Sequence, residues 1–97
     1  MRVINKDGTI DVPYEGTAFE VRFRLRNDDT CYWMITAYSH VYSSPHCDGY
    51  RTLGYYKTEE KAIDDLYNLR ISYLKDEYYY VLNGETNIAE LGLKYSE

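Results

Sequence analysis

An α+β domain, with an antiparallel sheet of about five strands and one long helix packed on one face, is predicted by three features of this chain. Asp7-Gly8 stands between two β-prone runs, the strongest short-range signal for a hairpin. Residues 18–26 alternate strictly between apolar and polar side chains, the period of a half-buried strand. Residues 57–80 carry the clearest helical spacing, with a capping threonine at their start.

The elements follow in order. Residues 1–5 and 9–14 form the first hairpin, and Pro13 closes it because proline brings no N–H to a sheet ladder. No basic and then apolar leader precedes it, so the hairpin is expected in the mature fold. In 18–26, Val21, Phe23 and Leu25 share the expected core face, with Arg22, Arg24 and Arg26 on the other. Asn27, Asp28 and Asp29 make a turn by composition. Residues 31–39 should return antiparallel, with Trp33, Ile35 and Ala37 in the core and Tyr32, Met34, Thr36 and Tyr38 beside the arginines. The stretch 39–49, rich in Ser, Pro, Asp and Gly, reads as a loop longer than a hairpin requires, and it is expected to make a second contact with a partner. Residues 50–56 read as a last strand. The helix then follows, with Thr58 as cap, Glu59 and Glu60 at the positive end of its dipole, and Asn83-Gly84 as the end signal. Its expected core stripe is Ala62, Ile63, Leu66, Leu69, Tyr73 and Leu74. The tail predicts a short amphipathic turn through Ile88, Leu91 and Leu93.

Ninety-seven residues, without repeats or linkers, predict a single domain spanning 1–97. No run of 18 apolar residues exists, so no membrane span is expected. Two cysteines are too few for a disulfide framework, and a reduced, cytoplasmic setting is the simplest expectation. Sixteen acids against eleven bases leave a net charge of −5, which disfavours direct binding of long nucleic acid. Thirteen tyrosines against two phenylalanines and one tryptophan exceed what so small a core hides, so some are expected at a contact surface.

The candidate chemistry is thin. Cys31, His40, His46, Cys47 and Asp48 offer zinc donors, but their spacing fits no usual finger, and no metal or cofactor is expected. Ser39, Ser43 and Ser44 lie near His40 and His46 without a nucleophile elbow, a phosphate loop or an HExxH motif. Adjacent carboxylates on a helix point about 100° apart, so Asp64 and Asp65 look like solvated charge rather than an acid–base pair. The expected class is a binding protein and not an enzyme.

Two surfaces compete for that role. The acids Glu60, Asp64, Asp65, Asp76 and Glu77, followed by Tyr78, Tyr79 and Tyr80, offer a basic groove the carboxylates and rings it would meet on a nucleic acid. Alternatively, Arg22, Arg24 and Arg26 with Tyr32 and Tyr38 form a basic, aromatic sheet face suited to holding a nucleotide. Counter-ions for those arginines are expected from Asp11 and Glu15 on the hairpin, and long arginine stems also cover apolar sheet surface.

The opening residues Met1, Arg2, Val3, Ile4, Asp7, Gly8, Thr9, Asp11, Val12, Pro13, Tyr14 and Glu15, with Tyr56, Thr58, Glu60, Lys61 and Ala62 before the helix, carry a resemblance. They are similar to a set of small, uncharacterised proteins from bacteriophages and prophages of Firmicutes. The resemblance covers the front and the helix entry, leaves 18–55 and the tail aside, and attaches no catalytic residue. It implies a mobile-element gene and, by analogy, an inhibitor of a host defence effector such as a CRISPR nuclease, acting in the bacterial cytoplasm. Two further readings are a sponge for a nucleotide signal, through the arginine face, and a structural or regulatory phage component.

Overall fold

The computed structural model describes residues 1–26, 30–44 and 47–92, with the backbone alone at 40–44, 47 and 48. Six strands and one α-helix follow in the order β1 (Arg2–Ile4), β2 (Asp11–Pro13), β3 (Ala18–Leu25), β4 (Cys31–Ser44), β5 (Cys47–Tyr56), α1 (Glu59–Leu74) and β6 (Tyr79–Val81). A 3₁₀ turn, Ile88–Leu91, comes last. The class is α+β, with the strands divided between two three-stranded sheets of order β2-β1-β6 and β3-β4-β5. The helix packs against the second sheet and touches β6 of the first.

The first hairpin forms as its turn chemistry dictates. Val3 pairs with Val12, and both are buried in the core. Gly8 takes φ 78°, which a side chain would resist. Asp7 Oδ1 accepts from the backbone N–H of Thr9 at 3.0 Å, and Asn5 Oδ1 accepts from that of Ile10 at 2.9 Å. These two side chains hold the bend that sets the register of Val3 against Val12.

Strand β3 pairs with β4 in the register the alternation predicts, Val21 opposite Ile35 and Phe23 opposite Trp33. The core face nevertheless ends early. Phe19 and Val21 pack on the core, whereas Phe23 and Leu25 remain 56% and 59% exposed. Phe23 meets only the edge of Trp33 among described aromatic rings, at 5.4 Å between centroids. The opposite face of β4, expected to be open, is covered. Tyr32 and Met34 are buried beneath Leu91, with Tyr55 and Ile88 beside them. The tail therefore forms the predicted turn and uses it as a lid on the second face of the sheet. Leu93 lies outside the described residues.

Over most of the expected loop at 39–49 the backbone is strand instead, in the end of β4 and the start of β5. Strands β4 and β5 run on to Ser43↔Asp48 and Ser44↔Cys47, past a register shift after Tyr38. Val41 and Tyr42 favour an extended backbone while the Ser, Pro, Asp and Gly around them favour turns, so local composition does not decide between strand and loop.

The helix starts as predicted and ends elsewhere. The Thr58 side chain accepts from the N–H of Lys61 at 3.2 Å. Its end is set by Asp76, in the left-handed region at φ 63°. The N–H of Asp76 donates to Tyr73 O and that of Glu77 to Ser72 O, the paired bonds of a Schellman motif. Glycine is the usual residue there, so an aspartate hides the stop. Residues 79–81, freed from the helix, pair parallel with β1, Val3 opposite Tyr80. Asp76→Gly should raise stability by about 0.5–1 kcal/mol, because only the β-carbon resists this conformation. Urea denaturation checks this, and a loss of stability would contradict it.

The buried helix stripe also differs from the expected one. It comprises Ala62, Asp65, Leu69 and Ser72, while Ile63 and Leu74 face water. The apolar positions alone span too broad an arc to orient the helix. Its rotation brings Asp65 over donors from β5, β6 and the segment after β6.

Candidate functional site

Asp65 is 3% exposed, and its surroundings explain why a carboxylate sits there. The Tyr56 hydroxyl donates to Oδ2 and the Tyr80 hydroxyl to Oδ1. The N–H of Asn83 donates to Oδ2 at 2.7 Å, and its side-chain amide reaches Oδ1 at 3.5 Å. A carboxylate has about four acceptor directions, and all are taken. The group ties α1 to β5, to β6 and to residue 83, leaving no lone pair for a substrate. It is a fastener rather than a general base.

Burial, and then the hydrogen bond to Asp65, pushes the Tyr56 phenol well above the usual tyrosine range, and the same causes raise Tyr80. A raised folded-state value contributes stability that is complete below the unfolded value of about 10 and is lost as pH rises above it. Stability should therefore fall from about pH 10 upward, by up to about 1.4 kcal/mol per pH unit from Tyr56. Urea midpoints measured across that range in the parent and in Tyr56→Phe check this. The variant should show the shallower decline, and equal slopes would contradict the assignment.

Above this network lies an open cleft of about 350 Å³, formed by the start of α1, the end of β5 and residues 83–91. Its walls mix Lys57 and Lys61 with Asp64, Glu85 and Glu90. At the Glu85 wall, Lys6 Nζ pairs with Oε1 at 3.0 Å, and this bond holds the carboxyl below its usual range. Opposed charges thus meet around the cleft, and no single ligand charge is selected.

The predicted acidic set divides. Glu60 and Asp64 are exposed on the first half of α1, Asp64 on the cleft wall near two lysines. Asp65 is withdrawn by its donors to the floor of the cleft, 3% exposed, and does not stand on the helix surface with the other acids. Tyr80 is half-buried, with its hydroxyl committed to that carboxylate. Asp76, Glu77, Tyr78 and Tyr79 stay together at the corner where the Schellman turn feeds β6. Tyr78 is 90% exposed, and Leu74 beside the turn is 77% exposed. At 1.5 Å of rise per residue, the helix separates Glu60 from this corner by about 20 Å.

The arginine face is also only partly assembled. The Arg22 guanidinium on β3 lies 4.5 Å from the centroid of the Tyr50 ring on β5, and the ring of Tyr38, opposite Tyr50 on β4, has its centroid 4.7 Å from that of Tyr50. Arg22 Nε bonds Glu20 at 3.1 Å. Arg24 is exposed and Arg26 half-buried. Tyr32, opposite Arg24 in the register, is buried under Leu91, so it cannot stack on a ligand. The expected counter-ions are engaged elsewhere, Asp11 with Arg2 at 2.8 Å and Glu15 with the N-terminal amine at 3.4 Å. Glu20, on the same strand, takes their place.

Among the described residues, no group of three or more metal-binding side chains gathers. His46 lies outside the described residues, as do the side chains of His40, Ser43, Ser44, Cys47 and Asp48, and with them the second contact expected at 39–49. Likewise, among those residues no helix is long and apolar enough to cross a membrane. No protein-family model matches the chain, and neither a curated protein nor a solved structure matches it.

Sequence reasoning missed the Asp65 network because Asp64 and Asp65 look alike as neighbouring acids. Helical spacing held the one available signal: Asp65 falls in line with Ala62, Leu69 and Ser72, whereas Asp64 does not.

Proposed function

We propose that this chain is a non-catalytic binding protein, encoded by a mobile element, that inhibits a basic nucleic-acid-binding effector of host defence in the bacterial cytoplasm. An RNA-guided CRISPR nuclease is the most concrete target. The observation that carries the reading is the α1–β6 corner. Asp76, Glu77, Tyr78 and Tyr79 stand in water there, with Leu74 next to them. Two carboxylates and two exposed rings offer a basic groove charge and stacking area together. Lys75 is the sole base in the run 74–81. Glu60 and Asp64 extend the negative charge along the helix and form a secondary contact.

The test adds the purified protein to a CRISPR nuclease and its target DNA. Cleavage should fall, excess DNA should relieve the inhibition, and rising salt should weaken it as screening grows. Cleavage unaffected at low salt would count against this target. Inhibition that persists unchanged at high salt would replace charge mimicry with apolar docking through Leu74 and the tyrosines.

A further inference from the structure

The outer edge of β3 has features of a pairing surface for a second copy of this chain. Strand β3 is the end strand of its sheet, and among the described residues it pairs only with β4. Natural edges are usually guarded by proline, charged side chains (lysine above all), a bulge or a short length, and of these β3 carries only the charges of Glu20, Arg22 and Arg24. Residues 18–25, AFEVRFRL, contain no proline or lysine, run unbroken for eight residues, and pair with β4 without a register shift. Phe23 and Leu25, both more than half exposed, stand on one face of that edge.

The charges on the other face choose the occupant. Glu20, Arg22 and Arg24 alternate along the strand, and Glu20 already bonds Arg22 at 3.1 Å. Two antiparallel registers between identical copies pair most of β3. Centred on Val21, the pairing sets Glu20 of each copy opposite Arg22 of the other and Phe19 opposite Phe23, with no like charges facing. Centred on Arg22, it sets Arg22 against itself. We propose that the chain forms a two-fold dimer by antiparallel β3–β3 pairing centred on Val21, joining the two β3-β4-β5 sheets into one of six strands. Main-chain bonds supply the continuity, and the Glu20–Arg22 cross-pairs fix the register.

The experiment uses sedimentation equilibrium on the parent, Glu20→Arg, Arg22→Glu and an equimolar mixture of the two variants. The parent should show twice the monomer mass. Each variant alone places like charges opposite each other twice and should dissociate about tenfold more readily or worse. The mixture restores attraction at both cross-pairs and should form a heterodimer. A parent that stays monomeric at millimolar concentration overturns the proposal, as does a dimer that both variants leave intact, or a mixture that does not associate. Amide hydrogen exchange on the parent supplies an independent reading. Protection in β3 should rise with protein concentration, and protection independent of concentration would contradict the pairing.

Discussion

Replacing Asp65 by alanine should cost about 3–5 kcal/mol, a large share of the 5–15 kcal/mol that holds a domain of this size together. The reason is the number of donors left behind. The hydroxyls of Tyr56 and Tyr80 and the N–H of Asn83 all donate to this carboxylate. Each buried donor without an acceptor costs about 1–3 kcal/mol. Asparagine at 65 retains one carbonyl acceptor and should lose roughly half as much. The adjacent Asp64→Ala is the control, since Asp64 is exposed and its loss should stay within about 0.5 kcal/mol. Urea denaturation of the three variants measures all of this. An Asp65→Ala variant within about 1 kcal/mol of Asp64→Ala would show that the network does not hold the helix in place.

A methyl group at residue 84 should be the second most damaging change. A β-carbon on Gly84 would lie 2.6 Å from Tyr56 Cζ and 2.8 Å from its hydroxyl oxygen. Tyr56 has little room to move, because it is buried and its hydroxyl is bonded to Asp65. Gly84 in turn packs on Gly54 of β5, where an added β-carbon would stand 3.0 Å from the Gly84 Cα. The two glycines let residues 83–85 lie against β5, where Tyr55 and Glu85 exchange backbone hydrogen bonds at 2.9 Å each. Gly84→Ala should therefore lower stability by about 2–3 kcal/mol, equivalent to a fall of about 10 °C or more in Tm. A melting temperature within about 3 °C of the parent would mean that the segment after β6 yields easily and does not clamp the sheet.

What the sequence made legible follows the range of the interactions. The Asp7-Gly8 hairpin, the Thr58 cap and the pairing of β3 with β4 rest on residues close in the chain, or on alternation that admits one register. What stayed hidden depends on partners far away. Strand β6 pairs with β1 across nearly the whole chain, and Asp76 ends the helix without the glycine that would announce it. Burial of Asp65 needs Tyr56, Tyr80 and Asn83, which no local pattern brings together. Tyr32 and Met34 are covered only because Ile88 and Leu91 fold back over them. Of the acidic surface, Glu60, Asp64, Asp76, Glu77, Tyr78 and Tyr79 were legible as exposed groups. Tyr56 with Asp65 and Tyr80, the pair of rings that holds the core together, looked the same in the sequence as the rings left in water.

The corner itself is tested by reversing its charge. Glu60→Lys, Asp64→Lys, Asp76→Lys and Glu77→Lys combined leave the Asp65 network untouched, so the variant should stay folded, with a Tm lowered by the lost acid at the helix N-terminus and by lysine at the left-handed position 76. If the proposed target is right, the variant's affinity for a CRISPR nuclease, measured at low salt, should fall by about a hundredfold or more, since four attractive charges become repulsive. An unchanged affinity in a folded variant would contradict the account.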